Sequence, residues 1–151
     1  MRSAFRELRV LGARQLAEIA DEARALSVHD PVVCHGAPSL GSVILSSSGG
    51  FGGVLTGEDL VVSGRESDLL WVVGELIEMS FVSGSDSEAW TSAINAFVEG
   101  YGGVDVSIAT LARIRILLHL HDFTAYVGWP GTEFATYLGM LTYLAEAEGN
   151  Q

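Results

Sequence analysis

Lysine is absent from this 151-residue chain, and all eight of its basic residues are arginine. Set against nineteen acidic residues they leave a formal net charge of −11. Nucleic acid and anionic membrane are bound through a basic footprint that releases counterions, so the charge balance argues against both as partners. The single cysteine, Cys34, excludes an internal disulfide framework. No run of about 18 uninterrupted apolar residues is present, which argues against a membrane-spanning helix. The opening residues Met1-Arg2-Ser3-Ala4-Phe5-Arg6-Glu7 lack the apolar run and small-residue cleavage site of a secretory signal, and a cytoplasmic location is expected.

What is present is apolar. Hydrophobic residues make up 48% of the chain and the mean hydropathy is +0.34, high for a chain that must also cover its own surface. A single domain spanning residues 1–151 is expected, with an apolar patch buried by a second copy or by a partner. Arg2, Arg6, Arg9, Arg14 and Arg24 make one end locally basic, and a solvated helix face with i, i+4 ion pairs accounts for them.

Apolar residues at Phe5, Leu8, Leu16, Ile19, Ala23 and Leu26 recur at helical spacing and predict one amphipathic helix over 3–26. Short β-branched runs at 31–35 and 42–46, then the turn Ser47-Ser48-Gly49-Gly50 and the run 51–55, predict a small hairpin. A glycine- and charge-bearing loop follows, and then a buried helix over 67–79. Ser85-Asp86-Ser87-Glu88 has a capping-box pattern that starts a helix over 87–99, stopped by Gly100, Gly102 and Gly103. Two more helices are expected, over 106–128 with Asp105 as its cap and over 132–148, separated by Trp129-Pro130-Gly131. The fold class is mainly α with one β-hairpin.

The stretch Cys34-His35-Gly36-Ala37-Pro38-Ser39-Leu40-Gly41-Ser42 resembles the catalytic loop H-G-D-x-x-x-x-N of aminoglycoside- and macrolide-type phosphotransferases. In that family the aspartate orients the attacking hydroxyl, while the asparagine and a later aspartate hold magnesium against the nucleotide phosphates. His35-Gly36 match the motif. Ala37 stands at the base position, Ser42 at the asparagine position, and Thr56 in Val54-Leu55-Thr56-Gly57-Glu58 at the metal-binding aspartate. Ala37 has no proton acceptor, and Thr56 offers magnesium a neutral hydroxyl where a hard cation prefers carboxylate oxygen. Glu58 or Asp59 would replace it only through a shifted loop. The resemblance also implies a nucleotide-binding lobe with a phosphate-pairing lysine ahead of the loop, where about thirty residues stand and no lysine exists.

Glu66-Ser67-Asp68-Leu69-Leu70-Trp71 resembles the family's next segment, in which an aspartate opening a buried helix accepts hydrogen bonds from the catalytic-loop backbone. Asp68 lies twelve residues beyond Thr56, as the motif implies. The resemblance covers roughly residues 3–148. It implies the helical half of a kinase-like phosphotransferase fold, in which His35 braces the loop through a backbone hydrogen bond.

Three further features invite chemistry. Cys34 and His35 are neighbours on an extended segment and point to opposite sides, so they form no thiolate–imidazole pair, and Cys34 is expected to be buried. Arg115, His119 and Asp122 share one helix face at i, i+4 and i+7, a pattern for anion binding or proton transfer and equally for a structural network tying that helix to the loop. His121 lies on another face, so no His pair for a metal is expected. The glycines of Ser48-Gly49-Gly50-Phe51-Gly52-Gly53 lack a P-loop lysine and read as a hairpin turn.

These features predict a pseudokinase that has lost phosphoryl transfer and works by binding, as a homodimer or as a scaffold for a partner enzyme or peptide. No cofactor or metal is expected. Arginine in place of lysine, with abundant glycine and alanine, is associated with a bacterial chain from natural-product biosynthesis or resistance. The rival reading is a nucleotide-independent cyclase or isomerase acting on a small molecule or peptide in the old substrate cleft, with His35, Arg115, His119 and Asp122 at work and Glu58 and Asp59 at the rim.

Overall fold

The computed structural model describes residues 13–26, 31–84, 87–128 and 131–149. Their elements run, in chain order, helix α1 (Ala13–Ala25), strands β1 (Val32–Cys34), β2 (Val43–Leu45), β3 (Phe51–Val54) and β4 (Val61–Ser63), then helices α2 (Glu66–Ser83), α3 (Ser87–Gly100), α4 (Ile108–Tyr126) and α5 (Gly131–Gly149). The chain is mainly helical, as its periodicity predicts.

Three helix ends have a local cause. Gly84 closes α2 in the left-handed conformation, at φ +57°, which glycine adopts without a Cβ penalty. After α3, the Gly103 N–H donates to the Val98 carbonyl and the Gly102 N–H to the Glu99 carbonyl, both at 2.9 Å. That pair is a Schellman motif, with Gly102 at φ +94° in the position that demands it. The cap of α4 is Ser107, whose hydroxyl accepts the Thr110 N–H at 3.3 Å. Asp105, the expected cap, lies two residues too early, and the helix begins at Ile108.

The core forms around α4, which packs on α1, α2 and α5. Leu69, Val73, Leu111, Ile116, Leu120 and Met140 are among its fully buried members. α4 is apolar on nearly all sides, as a helix with neighbours on several sides must be. A Cβ on Gly74 would stand 2.3 Å from Arg115 Cβ, so the absence of a side chain there lets α2 and α4 approach. Buried Arg113 reaches outward from α4 to Glu22 of α1 at 3.0 Å and Glu148 of α5 at 2.7 Å, tying three helices with one guanidinium.

In α1, Ile19 is buried and Leu16 packs against the core, as does Leu26 just after the helix, whereas Ala23, expected on the same stripe, is exposed. Arg24 pairs with Asp21 at i, i+3 in solvent. The rest of the expected 3–26 helix, with Arg2, Arg6 and Arg9, lies outside the described residues, as do the Ser85-Asp86 start signal and Trp129-Pro130.

The β2–β3 hairpin forms as expected, antiparallel with an irregularity between Ile44 and Leu45. A second antiparallel pair was not foreseen: β1 pairs with β4, Val33 opposite Val62, where a loop was expected at 61–63. Both sheets are two strands wide. Their apolar side chains are largely uncovered, among them Val33 at 75%, Leu45 at 65% and Phe51 at 72% exposure.

Candidate functional site

The loop from His35 to Ser42 hangs from one face of α2. Asp68 and Glu75, seven residues apart, stand two turns from one another on that face. The Asp68 carboxylate accepts the His35 N–H at 2.8 Å through Oδ2 and the Gly36 N–H at 3.0 Å through Oδ1. Glu75 Oε2 accepts the Leu40 N–H at 2.7 Å. Asp68 thus accepts hydrogen bonds from the loop backbone, as expected of it. Glu75 is not among the residues singled out from the sequence, although its spacing of seven from Asp68 is a usable signal.

Gly36 has φ +95°, and a Cβ there would sit 1.9 Å from the Asp59 carbonyl oxygen. Only glycine fits this crossing of the two chain segments. The crossing places the Asp59 backbone against the loop, while the side chains of Glu58 and Asp59 are exposed. Ser42, at the asparagine position, spends its hydroxyl on the loop itself, accepting the Ser39 N–H at 3.4 Å and lying 3.3 Å from Ser39 Oγ. Ala37 is half-buried and Thr56 is exposed.

His35 Nε2 lies 2.6 Å from the Leu55 carbonyl oxygen. A carbonyl only accepts, so Nε2 carries a proton and donates this bond. This bond ties the loop to the end of the hairpin. Cys34, next to it, is 1% exposed and directs its thiol at the Gly64 carbonyl at 3.4 Å. Burial, with the Asp68 charge, pushes the Cys34 thiol pKa up, which leaves it a poor nucleophile.

Beside the loop lies a cavity of about 520 Å³, walled by Leu40, Val43, Val54, Val72, Leu76 and Phe97. His35, Thr56, Asp68 and Tyr101 also face it. The Tyr101 hydroxyl donates to the Arg65 carbonyl at 2.9 Å, and Arg65 Nη2 returns a bond to the Tyr101 carbonyl at 2.5 Å. This reciprocal pair fixes the end of α3 against the start of α2, and so fixes the cavity's far wall.

The second predicted cluster assembles around a residue that the sequence reading did not select. Glu78, buried in α2, accepts from the Tyr137 hydroxyl, lies 2.9 Å from His119 Nδ1 and 3.9 Å from Arg115 Nη1. Burial alone would raise the Glu78 pKa, but the His119 and Tyr137 hydrogen bonds and the His119 and Arg115 charges outweigh it and hold the carboxyl below its usual range. Arg115 also stacks over Trp71, 4.8 Å from the ring centroid. The network ties α4 to α2 and α5, not to the loop as expected. Asp122 stays outside it, exposed and 2.9 Å from His121 Nδ1. Arg115, His119 and Asp122 do line one shallow cavity of about 260 Å³ with Trp71. A charge inside an apolar helix needs a partner, and that rule was the signal for Glu78.

Among the described residues no group of three or more His, Cys, Asp or Glu is placed to hold a metal ion, and no helix is long and apolar enough to cross a membrane. Comparison with protein-family models, with curated proteins and with solved structures returns no match for this chain.

Proposed function

We propose that this chain is a degenerate, kinase-like phosphotransferase of the aminoglycoside and macrolide type that has kept the framework of its catalytic loop and works by binding, as a homodimer. The observation that carries the reading is the Asp68 carboxylate gripping the His35 and Gly36 N–H groups, directly beside Ala37. The scaffold that would aim a catalytic aspartate is built, and the residue it would aim is a methyl group. Ser42 and Thr56 supply no carboxylate or amide for magnesium either.

A second copy is the occupant that best accounts for the uncovered strands. Twelve of the nineteen large hydrophobic residues that are exposed lie between Val32 and Val62. Summed over both sides of the two ribbons these residues expose on the order of 1,000 Å², of the same order as the roughly 800 Å² that each partner of a standard complex buries. Glu58 and Asp59 are the only charged residues in this stretch, so two copies can meet here with most of the −11 charge of each chain lying elsewhere. Open strand edges add unpaired backbone groups to the same surface. Sedimentation velocity of the wild type and of Leu45→Glu/Phe51→Glu is the test. A wild-type dimer that persists in high salt, and a folded monomeric variant, are expected; a wild-type monomer at micromolar concentration overturns the dimer.

Glu78 favours a second reading, a nucleotide-independent cyclase or isomerase reaction, because it supplies His119 with an orienting carboxylate beside Arg115 and a small cavity. Metabolite profiles of a gene-deletion host complemented with wild type, Arg115→Gln or His119→Gln test it. Accumulation of an intermediate with both variants supports the reaction, and profiles identical to wild type contradict it.

A further inference from the structure

One wall of the larger cavity belongs to the β2–β3 hairpin. Val43 and Val54 are cross-strand partners, and both line the cavity. Residues directly opposite one another in an antiparallel pair point to the same side, as do residues two apart on one strand. Leu45 therefore shares the cavity side with Val43, and Phe51, opposite Leu45, shares it too. Phe51 and Val54 are three apart and would point to opposite sides of a regular strand. Gly52 is the extra residue between the pairing of Ile44 with Gly53 and that of Leu45 with Phe51, and this bulge restores the parity. A Cβ on Gly52 would stand 3.0 Å from the Ile44 carbonyl oxygen, so the bulge favours glycine. One hairpin face thus carries a hollow at its base and two exposed apolar side chains, Leu45 and Phe51, at its tip.

We propose that the hollow of each chain is filled by the hairpin tip of a second copy, whose Phe51 and Leu45 enter between the hairpin base and helices α2 and α3. An interface about a two-fold axis needs a surface that complements itself. A projection and a hollow on one face of one element meet that need, because two hairpins laid antiparallel, tip over base, make both contacts at once. The far wall offers Val72, Leu76 and Phe97 to the incoming ring. The volume of about 520 Å³ lies within the roughly 300–1,000 Å³ of pockets that hold drug-sized molecules, so a phenylalanine and a leucine side chain fit together. No residue from Val43 to Gly57 is charged, so burying the tip takes no ion out of water. The Asp68 carboxylate in the wall already accepts two backbone N–H groups. The inference rests on the proposed dimer and adds to it the face that meets, the side chains that anchor it and the socket that receives them.

Two substitutions at exposed positions test it. Phe51→Ala removes the projection, and Ala93→Trp fills the hollow from α3; Thr56→Trp fills it from the hairpin side should Ala93→Trp not fold. Sedimentation velocity and native mass spectrometry measure dimerisation of wild type, of each variant and of the two variants mixed in equal amounts, with circular dichroism as the check of fold. Each variant alone should dimerise at least about tenfold more weakly than wild type, since its homodimer loses both anchored contacts. The mixture should form a heterodimer tighter than either homodimer, because Phe51 of the Ala93→Trp chain still enters the open hollow of the Phe51→Ala chain. On the other side of the axis a shortened residue 51 meets a filled hollow. A merely damaged fold gives no such recovery. A wild-type dimer whose variants keep its affinity, or weakened variants whose mixture recovers nothing, overturns the socket and leaves the dimer standing, with the cavity open to a small apolar ligand. A wild-type monomer at micromolar concentration overturns both.

Discussion

Replacing Asp68 with alanine removes two hydrogen-bond acceptors at once and asks how firmly the loop is held. The bonds run to the His35 and Gly36 N–H groups at 2.8 and 3.0 Å, both partly buried. A hydrogen bond to a charged group contributes about 1.5–3 kcal/mol, and partial exposure reduces each, so we expect a loss of about 2–4 kcal/mol. For a chain of this length each kcal/mol shifts the melting temperature by about 2–4 °C, which puts the expected drop at roughly 5–15 °C. The competing explanation is that Asp68 merely favours the first turn of α2 through the helix dipole, worth about 0.3–1 kcal/mol. Urea unfolding followed by far-UV circular dichroism separates the two by size. Amide hydrogen exchange separates them by place, because the His35 and Gly36 amides should lose protection in Asp68→Ala while those of α5 keep it. Glu75→Ala, which removes one exposed bond to Leu40, should cost less than Asp68→Ala. A loss under 1 kcal/mol, with exchange at residues 35 and 36 unchanged, would refute the claim that Asp68 holds the loop.

The close approach of α2 and α4 makes Gly74→Ala destabilising by about 1–3 kcal/mol through overpacking against Arg115, although alanine is the better helix former by about 1 kcal/mol. Gly139, on the exposed side of α5 with nothing within 4 Å of a new Cβ, should respond to alanine with a gain of up to about 1 kcal/mol; chemical denaturation of both variants checks the opposite signs. The Glu78 pKa is held below its ordinary value of 4.5, so its stabilising contribution is complete above that pH and is lost as pH falls through the depressed folded value. Glu148 acts in the same direction, whereas burial raises the Glu22 pKa and reverses its sign. Glu78→Gln is therefore expected to be less stable than wild type at pH 7 and to lose less stability between pH 5 and pH 3, as measured by melting temperature against pH; parallel profiles would contradict this.

Local signals carried the sequence reading a long way. Apolar runs, helical spacing and caps placed the helices among the described residues, although α2 runs four residues past the expected end at Met79; glycines marked the end of α3, and the resemblance anticipated the bonds of Asp68 to the loop. What escaped was non-local. β4 is three residues long with two of them exposed, so no alternation marks it, and its pairing with β1 joins residues about thirty apart in the chain. The α4 cap slipped from Asp105 to Ser107 because both are good caps and only the chain's path into the core chooses between them. The contacts of Glu78, Arg113 and Tyr137 were illegible because a charge or a hydroxyl on a helix acquires meaning from the neighbour that meets it, and their partners lie at least 35 positions away or on another helix. The bond that His35 donates through Nε2 was equally illegible, since its acceptor is the Leu55 carbonyl twenty residues downstream.

The central claim is that this loop is a phosphotransferase framework without phosphotransferase chemistry, and isothermal titration of the purified protein with Mg·ATP tests it most directly. The account predicts no saturable heat up to millimolar nucleotide, because Ala37, Ser42 and Thr56 supply neither base nor metal ligand. Saturable, magnesium-dependent binding that is lost in Ser42→Ala or Thr56→Ala would contradict it.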